Sequence, residues 1–182
     1  QTKYAVGQGS GTDALYMALR SLDIGPGDEV ITTPLSWIAT VNAITLCGAK
    51  PVFVDIREDM NINVGLIEDA ITEKTKAILP VHYTGRICDM AKISRIASEK
   101  SIFIVEDAAQ AFGANIHGAM AGSFGEVSAF SMNAMKGLNS YGEAGAVVTN
   151  SEVLESKLRS LTYAGTINKE DCHYPSLNAR MD

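Results

Sequence analysis

The chain has 182 residues, of which 46% are hydrophobic and 20% are charged, and its formal net charge is −6. This composition is typical of a globular domain with one substantial core, and the acidic balance without long basic runs argues against binding to nucleic acid. No apolar run approaches the roughly 20 residues that span a bilayer, and the first residues do not resemble a signal peptide. We therefore expect neither a nucleic-acid nor a membrane partner.

The cysteines and histidines predict neither disulfides nor a metal site. The chain contains three widely spaced cysteines without a C-x-x-C pair, namely Cys47, Cys88 and Cys172. An odd number of isolated cysteines is typical of free thiols in a reducing compartment, so we expect a cytoplasmic protein. The three histidines are also far apart and lack the spacing of metal ligands.

Short apolar runs rich in β-branched residues alternate with helical patterns along the whole chain. The predicted strands are 4–6, 29–32, 51–54, 76–82, 102–105, 127–131 and 145–149. The predicted helices are 12–22, 37–47, 64–71, 89–100 and 151–163. Such alternation predicts a single α/β domain with a mostly parallel sheet covered by helices on both faces. In sheets of this kind, ligands bind beyond the carboxyl ends of the strands.

The glycine-rich segment 7–12 lies between the first predicted strand and the first predicted helix. It resembles a dinucleotide fingerprint, but its sixth position is Thr12 instead of glycine or alanine, and the next strand does not end in an acidic residue. A single phosphate fits better, because Gly11 permits close approach of the backbone, Thr12 offers a hydroxyl and a helix N-terminus attracts anions. A turn capped by Ser10, without any ligand, remains the alternative.

Two residues suggest chemistry at the carboxyl ends of neighbouring strands. Asp107 closes the apolar run 101–107, and Lys136 follows the apolar run 127–131. An acid and a lysine in these positions are what an enzyme needs to hold pyridoxal phosphate, because the lysine forms a Schiff base and the acid pairs with the pyridine nitrogen. Either residue alone would more often be a helix cap or a surface lysine, but the surrounding motifs favour the functional interpretation.

Three further residues extend this hypothesis. Trp37 follows a predicted strand and offers an aromatic face for stacking, although a lone tryptophan is more often a packing residue. Gln110, one helical turn after Asp107, could lie near the 3′-oxygen of the ring, and Ser131 could add a hydroxyl to the phosphate site. His82 could line the same pocket or satisfy a buried strand end, and we favour the second.

Taken together, these motifs resemble the DegT/StrS-type sugar aminotransferases, a family of fold-type-I enzymes that depend on pyridoxal phosphate. The matching segments cover almost the whole chain, at 10–15, 27–31, 50–55, 81–85, 106–111, 130–136, 142–145 and 178–182. The resemblance implies the large domain of that fold, a mostly parallel seven-stranded sheet in a three-layer α/β/α arrangement. The beginning and end of the chain predict that residues 1–182 are a fragment, with an N-terminal segment and a small C-terminal domain outside it.

The resemblance also implies roles for individual residues. Lys136 would form the Schiff base, and Asp107 would pair with the pyridine nitrogen. The remaining cofactor contacts would come from Gly11, Thr12, Trp37, Gln110, Ser131 and Asn178. Of these, Asn178 would reach the phosphate of the neighbouring subunit, because the family forms homodimers with shared active sites.

The family transfers an amino group, usually from glutamate, to a nucleotide-linked keto sugar for glycans, lipopolysaccharide or antibiotics. One alternative is a related deoxysugar 3-dehydratase that uses the pyridoxamine form of the cofactor, in which a histidine replaces the lysine. Another is a regulatory homologue without activity. Lys136 argues against the first alternative, and Lys136 together with Asp107 argues against the second. Departures from the family pattern at Arg86, Ala144 and 132–135 touch the surroundings of the cofactor without removing a catalytic group.

Overall fold

The computed structural model of the chain describes residues 2–167 and 169–181. Within these ranges the backbone forms eleven strands: β1 (Tyr4–Gln8), β2 (Glu29–Thr32), β3 (Lys50–Phe53), β4 (Thr75–Ile78), β5 (Phe103–Asp107), β6 (Asn115–Ile116), β7 (Ala119–Met120), β8 (Val127–Ser131), β9 (Gly145–Thr149), β10 (Thr166–Ile167) and β11 (Asp171–Cys172). The α-helices in the same ranges are α1 (Gly11–Ser21), α2 (Ile38–Leu46), α3 (Ile67–Ala70), α4 (Met90–Lys100) and α5 (Glu152–Thr162). Short 3-10 helices span Val64–Leu66 and Tyr83–Gly85.

Seven of the strands form a central sheet in the order β1-β9-β8-β5-β4-β2-β3. Every neighbouring pair is parallel except those of β9, which runs antiparallel to both β1 and β8. The remaining strands form two small hairpins, β6–β7 and β10–β11. The mostly parallel α/β sheet predicted from the alternation of patterns is therefore confirmed.

Helices cover both faces of the sheet, and a hydrophobic core lies on each face. Because successive strand residues point to opposite faces, Val30 packs with α1 and α2 on one side, and Ile31 packs with α3 and α4 on the other. Helix α5 joins the first side through Leu158 and Leu161. This is the predicted three-layer arrangement. None of the helices in the described residues is both long and apolar enough to span a membrane.

Two predicted elements differ from the structure. The helix predicted at 64–71 is a 3-10 helix followed by the four-residue α3, because Gly65 weakens a continuous helix and Asn63 caps the first turn through the Gly65 amide. The strand predicted at 76–82 is regular only to Ile78, because Pro80 has no N–H to donate to the ladder. The segment beyond Ile78 still bridges β5 through the pair Val81 and Asp107.

Candidate active site

A cavity of about 520 Å³ lies at the carboxyl edge of the sheet. Its walls are formed by the segments that follow β1, β2 and β5, together with the loop that connects β8 to the reversed strand β9. The lining residues include Ser10, Gly11, Thr12, Ser36, Trp37, Thr40, Asp107, Gln110, Ser131, Asn133, Lys136 and Glu143. The volume is in the range of small-molecule sites, and the location is where parallel α/β sheets bind their ligands.

One end of the cavity is the N-terminus of α1. Ser10 is the N-cap and accepts a hydrogen bond from the Asp13 amide at 3.0 Å, which leaves the first amides of the helix, those of Gly11 and Thr12, without intrahelical acceptors. Ser131, at the end of β8, lies directly beside Gly11, because a Cβ placed on Gly11 would be 2.9 Å from the Ser131 Oγ. Free amides, the positive end of the helix dipole and a hydroxyl together form a cradle for an anion such as phosphate.

We expect Gly11→Ala to damage this cradle. The new Cβ would lie 2.6 Å from the Ser131 Cβ, so that α1 and β8 must separate, and overpacking of this kind costs about 1–3 kcal/mol. Urea unfolding should show this loss of stability. Gly142→Ala is the matched control, because no heavy atom lies within 4 Å of its Cβ position, and it should stay within about 1 kcal/mol of wild type. Equal stability of the two variants would contradict the prediction.

Asp107 lies in the wall of the cavity with only 4% of its surface exposed. Its Oδ2 accepts a hydrogen bond from the Thr40 hydroxyl at 2.7 Å, and its Oδ1 accepts one from the Ala109 amide at 3.2 Å. Burial raises the pKa of this carboxyl group despite these donors, and the carboxylate has no salt-bridge partner among the described residues. A buried carboxylate without a cation fits a ligand that brings a positively charged N–H.

Lys136 lines the cavity from the segment between β8 and β9. Its backbone amide donates to the Asn133 carbonyl at 2.8 Å, which forms a turn, while the Asn133 side chain binds the Glu143 carboxylate. Within the described residues the Lys136 ammonium takes part in no salt bridge. The lysine is therefore available to react with a ligand in the same cavity as Asp107.

Gln110 and Trp37 complete the lining of the cavity. The Gln110 Oε1 accepts the Thr84 amide at 2.9 Å, where Thr84 has a left-handed backbone conformation with φ of 53°. Because the oxygen is engaged in this way, the Gln110 Nε2 group remains to donate to a ligand. Trp37 is the N-cap residue of α2 and is 72% exposed at the rim.

The fold thus brings seven of the eight predicted site residues to the same cavity, namely Gly11, Thr12, Trp37, Asp107, Gln110, Ser131 and Lys136. The eighth, Asn178, is exposed elsewhere, where its backbone bridges Tyr163 and its Oδ1 accepts a hydrogen bond from the Arg180 Nε at 2.9 Å. The roles of all eight remain predictions.

Sequence reasoning missed the hydroxyl pair Ser36 and Thr40. Their Oγ atoms are 2.7 Å apart, and Thr40 is 1% exposed. The sequence contains no clear signal for this pair, because Ser36 lies before α2 begins at Ile38 and the spacing rule for helices does not apply to it. The acceptor, Asp107, is 67 residues away in the chain, so the local pattern did not indicate what the pair binds.

The polar network around Glu106 was also missed. Glu106 is fully buried, and its Oε2 accepts a hydrogen bond from the His82 Nε2 at 2.9 Å. Because the His82 Nδ1 accepts the Cys88 amide, Nε2 must carry the proton. Three amides and one hydroxyl, those of Gly122, Phe124, Gly125 and Ser128, donate to the same carboxylate at 2.7–2.8 Å. This network joins β5 to the loop before β8. It also shows that His82 satisfies a buried strand end, which is the interpretation that the sequence favours, and that it does not line the cavity.

The mostly parallel seven-stranded sheet between helices is the α/β fold of solved aminotransferases. The chain belongs to the DegT/DnrJ/EryC1/StrS aminotransferase family, whose model matches residues 1–182.

Three similar proteins illustrate this membership. The chain is 42% identical over its whole length to a "Pleiotropic regulatory protein" of Geobacillus stearothermophilus, of which the match covers 49%. It is 44% identical to a UDP-N-acetyl-3-dehydro-alpha-D-glucosamine 3-aminotransferase of Acidithiobacillus ferrooxidans, with 98% of this chain and 49% of the relative covered. The crystal structure of NtdA from Bacillus subtilis with bound cofactor PMP matches with a TM-score of 0.94 and 35% identity, covering 100% of this chain and 42% of NtdA. The chain thus spans about half the length of the curated relatives it matches.

Proposed function

We propose that residues 1–182 are the cofactor-binding domain of an aminotransferase that uses pyridoxal phosphate to move an amino group from glutamate to a nucleotide-linked keto sugar. The observation that carries this proposal is the meeting of Asp107, Lys136 and the N-terminus of α1 in the same cavity. The cavity offers a site for each part of the cofactor: an anion cradle, a buried carboxylate and a lysine amine. Membership of an aminotransferase family and a cofactor-bound relative support the same conclusion.

When bound, the cofactor supplies an aldehyde carbon for the lysine and a ring that withdraws electrons. Gly11, Thr12 and Ser131 would hold the phosphate through amides and hydroxyls. Asp107 would accept the pyridine N–H and keep that proton on the ring. The Gln110 Nε2 would donate to the 3′-oxygen of the cofactor, and the Trp37 side chain would stack on the face of the pyridine ring. The Lys136 Nζ would hold the cofactor and carry protons to and from the substrate carbon.

Assembly of two chains is a second part of the proposal. Two large apolar side chains that line the cavity stand exposed, since Trp37 is 72% exposed and Met135 is 90% exposed. Exposed apolar surface at a site can mark a place of interaction with another chain. We infer a homodimer in which Asn178 of each subunit serves the phosphate site of the other.

We also infer a cytoplasmic enzyme. Cys47, Cys88 and Cys172 are all free thiols within the described residues, as expected in a reducing compartment. Burial raises the pKa of both the Cys47 and the Cys88 thiols to about 12, so both behave as apolar core residues.

The resemblance to a regulatory protein leaves a non-catalytic function as the competing hypothesis. A protein that had lost its chemistry would not be expected to keep both Asp107 and Lys136 at the same cavity. The enzyme is therefore the better-supported function.

An absorbance spectrum tests the proposal directly, using the protein expressed from its complete gene. We expect a yellow protein, or one that turns yellow with pyridoxal phosphate, because Lys136 binds the aldehyde. Addition of glutamate should replace the yellow band by that of the amine form, and a nucleotide-linked keto sugar should restore it. A protein that stays colourless with added pyridoxal phosphate would overturn the enzymatic assignment, and one that changes only with another amino donor would overturn glutamate.

A further inference from the structure

A chain of hydroxyl groups leads from the rim of the cavity to the Asp107 carboxylate. The Thr40 Oγ1 lies 2.7 Å from the Asp107 Oδ2, and the Ser36 Oγ lies 2.7 Å from the same Thr40 oxygen. The Thr40 hydroxyl donates to the Asp107 Oδ2. Because a hydroxyl has a single proton, the Ser36 hydroxyl must donate to Thr40.

The helix that carries Thr40 adds to this arrangement. Helix α2 begins at Ile38, its first turn contains no acidic residue, and its N-cap Trp37 makes no capping hydrogen bond through its side chain. The Asp107 carboxylate therefore lies at the first turn of a helix that has no acid of its own there. A negative charge in that place is stabilised by the helix dipole.

Other charged groups act on Asp107 as well. Lys136, from the segment after β8, favours the charged form of the carboxyl group through its positive charge, and His82, from the turn after β4, is a neutral imidazole because its Nδ1 accepts an amide proton. Neither makes a salt bridge to Asp107 within the described residues. Glu106 precedes Asp107 in β5 and is occupied by its own network with His82 and the loop before β8. Among the described residues, the direct hydrogen bonds to the Asp107 carboxylate come from the Thr40 hydroxyl and the Ala109 amide.

We propose that Thr40 is a positioning residue that orients the Asp107 carboxylate and keeps it ionised, with Ser36 completing the chain of donors. The inference rests on the proposed function for what Asp107 does with the cofactor, but not for the contact itself. Without the hydroxyl, the carboxylate would keep only the Ala109 amide at 3.2 Å on its other oxygen. The buried group would then favour its neutral form.

The test compares Thr40→Val, which has nearly the same shape without the hydroxyl, with Thr40→Ser, which keeps it. The Asp107 carboxyl carbon is followed by carbon-13 NMR as a function of pH, first without cofactor, and its signal is assigned with Asp107→Asn. We expect the pKa of Asp107 to rise by about 1–2 pH units in Thr40→Val, as for loss of a hydrogen bond to a charged group. Thr40→Ser should restore most of the wild-type value. A residue that only packs the helix would not produce this pattern.

Ser36→Ala provides a second variant in case Thr40→Val does not fold. It removes only the outer donor, so we expect a smaller rise of the pKa of Asp107. An unchanged pKa in Ser36→Ala and in any folded Thr40→Val protein would overturn the inference.

Binding of pyridoxal phosphate, followed by absorbance in the same samples, separates the two proposals. If the pKa of Asp107 moves as expected but no variant and no wild-type protein binds the cofactor, the proposed function fails and the role of Thr40 stands. If the wild type binds the cofactor and reacts with glutamate while the pKa of Asp107 is the same in Thr40→Val, the role of Thr40 fails and the function stands.

Discussion

Lys136→Ala is expected to reduce transamination by at least about 10⁴-fold, because it removes both the amine that holds the cofactor and the group that carries protons. The cofactor band of the wild type should be absent or shifted, since no covalent bond to the protein can form. Stability should change by less than about 0.5 kcal/mol, because Lys136 is only partly buried and makes no salt bridge within the described residues. Steady-state turnover, the absorbance spectrum and urea unfolding measure these three effects.

Two further variants sharpen this prediction. Lys136→Arg keeps a positive charge but should be nearly as inactive, because a guanidinium stays protonated and does not act as the nucleophile. Lys100→Ala, at the exposed end of α4, removes a lysine outside the cavity and should keep full turnover. Substantial activity in Lys136→Ala or Lys136→Arg would refute the assignment of the lysine.

Glu106→Gln is expected to lower the free energy of unfolding by about 3–5 kcal/mol, although the two side chains have nearly the same shape. The Glu106 carboxylate accepts hydrogen bonds from His82, from three amides and from the Ser128 hydroxyl. In the variant, the NH₂ group of glutamine would replace one carboxylate oxygen of Glu106. This NH₂ group is itself a donor, so the buried groups that donate to that oxygen would lose their acceptor. Glu73→Gln, at an exposed position, is the control and should stay within about 0.5 kcal/mol of wild type.

The same residue should give the stability a dependence on acid. Burial by itself would raise the pKa of Glu106, but the hydrogen bond from His82 and the amides of Gly125 and Gly122 outweigh it, so the pKa lies below its ordinary value of 4.5. Because the pKa is lower in the folded than in the unfolded protein, the stabilisation is complete above about pH 4.5 and is lost as the pH falls through the folded value. Urea unfolding between pH 3 and 7 should show a smaller acid-dependent loss in Glu106→Gln, and parallel curves for the variant and wild type would contradict this account.

The architecture was largely predictable from the sequence because buried parallel strands leave a clear local signal. The run 102–105, for example, is continuously apolar, and the structure has the parallel strand β5 there. The direction of a strand leaves no such signal, which is why the reversal of β9 could not be predicted. The prediction of one regular helix at 64–71 was wrong, because a single glycine destabilises a short helix more than a long one.

The candidate site was predictable where a residue type and its place on a strand end carry the chemistry. Asp107 and Lys136 belong to this group, and the cavity contains both. Thr40 and Glu106 do not, because their importance depends on partners that lie far away in the chain, at Asp107 and at the loop 122–125. Nothing in the residues around Thr40, or around Glu106 next to Asp107, indicates these distant contacts.

The antiparallel pairing of β1 with β9 has a consequence for the newly made chain. Tyr4 pairs with Thr149 and Gln8 with Gly145, so the first strand finds its partner only after about 140 further residues have been added. Gly11 lies three residues after that strand and packs against Ser131. During synthesis on the ribosome, the central strands β2 to β5 can pair with one another before β9, the partner of β1, has been made. The anion cradle joins Gly11 to Ser131, about 120 residues later, so it must be among the last parts of the domain to take shape.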